Sequence, residues 1–423
     1  MSDQPAIEGG TPTRTEPFPP WPYFQPEMIE AAMEPLKTGR VNYWTGDIGM
    51  KFEQAFADWA GAKFGVSTSN GTSALHTALA GAGVGPGDEV ITTSYSFIAS
   101  CFCILQAGAV PVFADVEKNG HTIDAASIEA QISPKTKAIV AVHLYGCMCD
   151  MDAIMAIAAK HNLKVIEDCA QAHGGQIRDQ KAGTIGHFGA FSFCQSKHFT
   201  TGGEGGATIT NDEDAIWTMR SFRDHGYDVR ERLRLLELEA KLPYIHNSIG
   251  FNYRMTEMQS AIGLECLKIF DTWNLPNRKR NAAILDAALK DEPWIAALPI
   301  NNDYRRNAYW LYPIVLNTDA INTDGKHFFH ALTAEGVPAG PVLWPQCYKE
   351  RIFQERNGIG PNNYPFDDPN ARPEATHYEN VFCANAASVE PKTFFVPPHP
   401  TYEEKDMEDI AAAILKVGRF YGK

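Results

Sequence analysis

The sequence predicts an α/β protein, with a mostly parallel central sheet followed by a smaller α+β region. From Lys63 to Thr210, short apolar runs alternate with helical repeats. Runs that are apolar throughout belong to strands covered on both faces. At 423 residues the chain is too long for one ordinary core, so one large and one smaller domain follow.

Residues 1–24 are an extended arm: Gly9-Gly10-Thr11-Pro12 and Pro17-Phe18-Pro19-Pro20-Trp21-Pro22 oppose regular structure, while the aromatics ask to be packed. Pro26 to Leu36 reads as the first helix, with Pro26 at its start. Strand Phe64–Thr68 leads into a helix from Thr72 to Gly81, and Glu89–Thr93 is the next strand. The apolar stretch Phe97 to Phe113 is broken by Gln106, Gly108 and Pro111. It reads as a buried helix turning into a strand, not as a membrane span. Val110–Ala114, Ala138–Val142 and Lys164–Asp168 continue the series, with a helix over Asp152–His161, and Phe188–Cys194 and Ala207–Thr210 complete it. Charge-rich Asp228–Lys241 is an exposed helix or loop, and a long helix runs from Thr256 to about Trp273. Gln346–Glu379 is polar and Pro/Asn-rich without periodicity, the mark of a long functional or mobile loop. These boundaries give an arm (1–24), a large domain (25–265) and a small C-terminal domain (266–423).

The net charge is 37 − 51 = −14 and no Lys/Arg block is present, which excludes a nucleic-acid partner. The N-terminus has no basic region leading into an apolar one, so no signal peptide is expected. Nine scattered cysteines fit reduced thiols in the cytoplasm. Cys101/Cys103 and Cys147/Cys149 lack the partners of a zinc set, so no metal is expected.

Four local features carry chemistry. Ser69-Asn70-Gly71-Thr72-Ser73 closes a strand and opens a helix, where backbone N–H groups suit a phosphate. Asp168 ends an otherwise apolar strand, where a carboxylate needs a cation such as a protonated pyridine nitrogen. Ser192 and Lys197 flank the next strand end, and a partly desolvated lysine is a nucleophile for carbonyl carbon. Phe97, after another strand end, is placed to stack on a flat ring. Singly, these are equally a helix N-cap, a surface acid, a solvated lysine and a core aromatic. Jointly they describe a site for pyridoxal 5′-phosphate.

Six motifs in order carry a resemblance. They are Ser69-Asn70-Gly71-Thr72-Ser73-Ala74-Leu75, Gly85-Pro86-Gly87-Asp88-Glu89-Val90-Ile91, Glu167-Asp168-Cys169-Ala170-Gln171-Ala172-His173, Phe191-Ser192-Phe193 with Lys197, Gly203-Glu204-Gly205-Gly206, and Gly250-Phe251-Asn252-Tyr253-Arg254-Met255-Thr256-Glu257. From about Pro17 onward the chain resembles the DegT/DnrJ/EryC1/StrS family of sugar aminotransferases. The resemblance implies a fold-type-I, aspartate-aminotransferase-like enzyme that binds pyridoxal 5′-phosphate and works as a homodimer with shared active sites. It implies that Lys197 forms the Schiff base, Asp168 pairs with the pyridinium nitrogen, Gln171 lies near the ring hydroxyl and Phe97 against the ring face. It further implies that Gly71, Thr72 and Ser192 hold the phosphate, with Asn252 reaching it from the neighbouring subunit. The reaction implied is ping-pong transfer of an amino group from glutamate or glutamine to a keto-sugar, nucleotide-linked, or to a keto-cyclitol such as scyllo-inosose.

Two departures bear on the acceptor. Asn307 stands where the family often has histidine, and Gln346–Glu379 is longer than in the compact nucleotide-sugar enzymes. That length, Gly9 to Arg14 and Trp21-Pro22 look more like the cyclitol branch. Related dehydratases put histidine in place of the Schiff-base lysine, and here His198 adjoins Lys197. Counting forward from Phe191-Ser192-Phe193 and backward from Gly203-Glu204-Gly205-Gly206 both reach position 197. An aromatizing synthase on the same lysine, or a non-enzymatic sensor or partner subunit, are the other readings of the fold.

Overall fold

The structure, a computed structural model, describes residues 4–237, 246–342 and 345–423. The large sheet contains β1 (Phe64–Thr68), β2 (Glu89–Thr93), β3 (Val110–Ala114), β4 (Thr136–Val142) and β5 (Lys164–Asp168). After a small hairpin of β6 (Gln176–Ile177) and β7 (Gln180–Lys181), β8 (Phe188–Ser192) and β9 (Gly206–Thr210) complete it. Its order is β1-β9-β8-β5-β4-β2-β3. The pairs from β8 to β3 are parallel, whereas β9 runs antiparallel between β1 and β8. That reversal has a local cause. No helix intervenes between Ser192 and Gly206, and a parallel return needs a crossover of a dozen or more residues, usually helical.

The first helices are α1 (Pro26–Thr38), α2 (Ile48–Ala60), α3 (Gly71–Gly81), α4 (Ala99–Gln106), α5 (Ala125–Ala130) and α6 (Met151–His161). They are followed by α7 (Ala215–Arg223), α8 (Val229–Glu237), α9 (Glu257–Ile269) and α10 (Leu275–Leu289). One apolar core, with Leu75, Leu79, Ile104 and Phe188, lies on one face of the sheet. The other, with Phe52, Phe56, Ile154 and Phe270, lies on the opposite face. Both faces are covered, as the apolar strands predict. The helix expected to end near Trp273 does not stop there. A π-helical turn over Phe270–Asn274 joins α9 to α10, and the fully buried Phe270 fills the core at the junction. Of the charge-rich stretch Asp228–Lys241, α8 is helical and residues 238–241 lie outside the described residues.

A second sheet holds β10 (Ile295–Ala297), β12 (Tyr312–Leu316), β13 (Gly340–Pro341) and β14 (Thr393–Val396), in the order β10-β12-β14-β13. Strand β11 (Arg305–Arg306) pairs instead with β6. The second sheet packs against α11 (Gly325–Ala334) and α14 (Glu404–Tyr421) around Phe328, Phe394 and Ile414.

Gln346–Glu379, read as one long loop, is a succession of short turns and a brief helix, α12 (Arg351–Gln354), leading to α13 (Ala384–Val389). Aromatic anchors explain what periodicity could not. Tyr348, Phe353, Phe366 and Tyr378 sink into the first core. The Tyr378 hydroxyl donates to the Pro111 carbonyl at 2.9 Å, and Asp115 accepts the N–H groups of Asn385 and Ala386 at 2.8 and 2.9 Å. The segment thereby covers edge strand β3, where Pro111 is tolerated because an edge needs fewer ladder donors.

The arm packs on the second sheet's helices through one carboxylate. Glu335, fully buried, accepts from Ala6 N–H at 2.7 Å, Thr13 N–H at 2.8 Å and Lys416 Nζ at 2.9 Å. Arg14 adds an ion pair to Asp406 at 2.6 Å.

Buried charge also ties α2, β1 and α7 together. Glu53 accepts from Arg223 Nη1 at 3.0 Å, from Ser67 N–H at 2.9 Å and from the Tyr43 hydroxyl at 2.9 Å. Removing the acid leaves a guanidinium buried without its partner, so Glu53→Ala is expected to cost about 3–5 kcal/mol. A urea midpoint equal to that of the unsubstituted protein would contradict this.

Candidate active site

The carboxyl ends of β1, β2, β5 and β8 surround a cavity of about 600 Å³, where ligands gather in open α/β sheets. Gly71, Thr72, Phe97, Asp168, Gln171, Ser192 and Lys197 all line it. The sequence separates these residues by up to 126 positions (197 − 71), and the topology gathers them at one end. Asn252 is the exception. It is exposed, outside the cavity, on a backbone bridge to Asp224, while its neighbour Tyr253 lines the wall.

The anion cradle forms where β1 meets α3. Asn70 is the N-cap: its side chain accepts from Ser73 N–H at 2.8 Å, and Ser73 Oγ accepts from Asn70 N–H at 3.2 Å. Both the capping and the anion readings of this motif therefore hold. The cap occupies the third N–H, while those of Gly71 and Thr72 have no i−4 carbonyl within the helix. A Cβ on Gly71 would lie 2.6 Å from Ser192 Cβ. Glycine is required there to bring the helix start against Ser192.

Asp168 and Glu167 point to opposite faces, as alternation along β5 dictates. Glu167 is fully satisfied in the core: it accepts from Gly183, Ile185 and Gly186 N–H at 2.9, 2.8 and 2.6 Å and bonds His143 Nε2 at 3.0 Å. These acceptors are spent, so the buried group of His143, Glu167 and Cys169, close enough to hold an ion, serves the fold. Asp168 faces the cavity with only the Ser100 hydroxyl at 2.8 Å and Ala170 N–H at 3.1 Å. Burial raises its pKa, and those hydrogen bonds offset part of the rise. Among the described residues no cation is within ion-pair distance of it.

Lys197 is partly buried at the cavity wall, and desolvation pulls its pKa down to about 8. Its loop is held at three consecutive carbonyls. Trp310 Nε1 donates to Ser196 O at 2.6 Å, Trp21 Nε1 to Lys197 O at 3.1 Å, and Asn274 Nδ2 to His198 O at 2.5 Å. His198 turns away, fully buried, with Nε2 3.0 Å from Ala308 O. Of the two neighbours, Lys197 lines the cavity and His198 does not.

Gln171 is oriented by Tyr145, whose N–H donates to Oε1 at 2.6 Å, leaving its amide N–H groups for the cavity. Tyr145 and Gly146 both have left-handed φ, at 60° and 87°, and a Cβ on Gly146 would lie 2.7 Å from Tyr309 N. Asn307, the departure from the family's histidine, contributes nothing to the cavity. It is buried, accepting from Met148 N–H at 3.1 Å and donating to Ile300 O at 2.8 Å. Three residues beyond it, Trp310 lines the wall. Sequence reasoning missed Trp310, Tyr253, Ser100 and Glu204. For Ser100 a signal existed, since Ser96 and Ser100 stand four apart beside an apolar helix, and their hydroxyls lie 3.0 Å apart.

The residues fit pyridoxal 5′-phosphate: a glycine-permitted approach and free N–H groups for an anion, an acid lacking a cation, and a neutralisable amine. Sheet and cavity match those of the fold-type-I aminotransferases, the class to which the solved structures below belong. The chain belongs to the DegT/DnrJ/EryC1/StrS aminotransferase family, whose family model matches residues 22–372. It is 40% identical over 305 residues to the GDP-perosamine synthase of Caulobacter vibrioides, covering 71% of this chain and 78% of the relative. It is 34% identical over 425 residues to the L-glutamine:2-deoxy-scyllo-inosose aminotransferase of Streptomyces paromomycinus, covering 98% and 97%. Among solved structures, an aminotransferase from Psychrobacter cryohalolentis superposes with a TM-score of 0.84 at 34% identity, over 96% of this chain and 100% of that one. No described helix is long and apolar enough to cross a membrane.

The depressed lysine has a direct readout. Because burial disfavours the ammonium, Lys197 loses its proton at lower pH than exposed lysines. In cofactor-free protein its acylation rate should rise with pH around a midpoint near 8. A midpoint shared with surface lysines would refute the desolvated setting.

Proposed function

We propose that this aminotransferase uses pyridoxal 5′-phosphate to move an amino group from L-glutamine to a free keto-cyclitol. The observation that carries the reading is the cavity's charge inventory. Among its described lining residues Lys197 is the only cation, beside the acids Asp168 and Glu204. A nucleotide diphosphate would bring at least two negative charges to a wall to which this copy's described lining adds no further cation. A polyhydroxylated ketone asks only for neutral hydrogen-bonding groups, which Ser96, Gln171 and Tyr253 supply. Relatives whose names specify a scyllo-inosose substrate also align over nearly the whole chain, at 98–99%. The second reading, a nucleotide-linked keto-sugar, rests on the 40% identity to GDP-perosamine synthase, which spans 71% of the chain.

Bound pyridoxal 5′-phosphate supplies a carbonyl carbon open to amine attack and a ring that withdraws electrons. Gly71 and Thr72 N–H groups and the Ser192 hydroxyl would hold its phosphate, Phe97 would cover the ring, and Gln171 would offer its amide to the ring hydroxyl. Asp168 would favour a protonated ring nitrogen, and that cation would in turn relieve the burial cost of the carboxylate. Lys197 Nζ would hold the carbonyl carbon of the bound group, and the same amine, once free, would carry the proton taken from the donor α-carbon and return one to the product. Asn252 serves the site of a second copy in a homodimer, in keeping with its exposure outside its own cavity.

Lys197→Ala should lose about 10²–10⁴-fold or more in transamination rate, the scale of a lost acid–base group. Asp168→Asn should lose most of its rate while keeping the fold by circular dichroism. With L-glutamine as donor, 2-deoxy-scyllo-inosose should be aminated in preference to a GDP-linked 4-keto-sugar. The reverse preference would overturn the acceptor assignment, and a Lys197→Ala enzyme at full rate would overturn the mechanism.

A further inference from the structure

Trp310 is built into the wall with more care than a core aromatic needs. Its indole is nearly buried, at 9% exposure, and the Lys197 Nζ lies 4.0 Å from the ring centroid. The indole N–H is spent on Ser196 O at 2.6 Å, so ring and lysine loop move together. On the other side Arg278, fully buried, donates from Nη1 to the carbonyls of Tyr309 and Trp310 at 3.3 and 3.4 Å. Its Nε donates at 2.9 Å to Asn274 Oδ1, and Asn274 in turn holds His198 O. Tyr309 keeps a left-handed φ of 54° to present the tryptophan, a conformation costly for a non-glycine residue unless its surroundings enforce it.

We propose that the Trp310 indole is the seat of the Lys197 ammonium whenever that amine is not bonded to the cofactor. The ring's negative face attracts a cation within about 6 Å of its centroid, and most strongly where water is excluded. Trp310 is thus a positioning residue. It gives the freed amine one resting place beside the cavity and supports its charged form, while burial favours the neutral form that attacks. The titratable groups around the amine are Asp168, Cys194 and Glu204, which line the cavity with it, and His173 and His198 behind the loop. Burial holds both histidines neutral, and the indole is a neutral partner whose attraction for the ammonium can be tuned without changing charge.

The inference rests on Lys197 being the transaminating amine, but its test does not use turnover. In cofactor-free full-length protein, Trp310 is replaced site-specifically by mono-, di- and trifluorotryptophan. The pH midpoint of Lys197 acylation is then read by peptide mass spectrometry. Fluorine withdraws charge from the ring face and leaves the indole shape and N–H in place. The midpoint should fall stepwise with fluorine number, by roughly half a unit to one unit across the series. A midpoint constant across the series would overturn the proposal. Failure of the functional reading would appear separately, as full turnover by Lys197→Ala.

Discussion

Three donors on three consecutive carbonyls fix the segment that presents Lys197. Each comes from a different part of the chain: Trp21 from the arm, Asn274 from the π-helical turn, and Trp310 from the approach to the second sheet. A loop alone cannot hold a reactive amine to a fraction of an ångström, because its backbone groups are otherwise free to exchange with water. Here its carbonyls are saturated from behind, so the side chain is the part left to move. Arg278 fastens two of these supports to each other, and burial without an acid partner pulls its own pKa down to about 9. That unfavourable setting is the cost of connecting α10 to both walls of the loop.

The adjacent acids of β5 show how one strand assigns two fates to the same chemistry. Glu167 meets three backbone donors and a histidine and is finished as a structural group. Asp168, one residue on and therefore on the other face, is left with two donors and a raised pKa. A carboxylate in that state gains most from a cation delivered by a ligand. Incomplete satisfaction is what makes it a site residue, and pleat periodicity decides which of the two acids it is.

Much of this was legible in the sequence because it follows from period and chain direction. The strands of the large sheet, the first helices and the cavity residues Gly71, Thr72, Phe97, Asp168, Ser192 and Lys197 lie where apolar runs and strand ends place them, while Gln171 was reached through the family's motif. What escaped is what aromatic anchoring and long-range hydrogen bonding decide. Gln346–Glu379 has no period, because Tyr348, Phe353, Phe366 and Tyr378 are spaced by turns rather than by one helix. The helix called to end near Trp273 continues, since nothing local marks a π-turn built around a buried Phe270. Trp310 was hidden for the same reason: its partners are an amine 113 positions away (310 − 197) and an arginine on α10.

The arm has a mechanical meaning beyond its packing. Arg14 is pinned to α14 of the second sheet, and Trp21 is pinned to the carbonyl of the lysine itself. Only six residues, 15–20, lie between the two pins, and the seven steps from Arg14 to Trp21 (21 − 14) span at most about 25 Å when pulled straight. The arm is therefore a tether of fixed maximum length, and any rotation that carries α14 away from the large sheet draws on it and stops when it is taut. Because its far end is tied at the Lys197 carbonyl, the tether links the setting of α14 to the backbone that presents a cavity-lining amine.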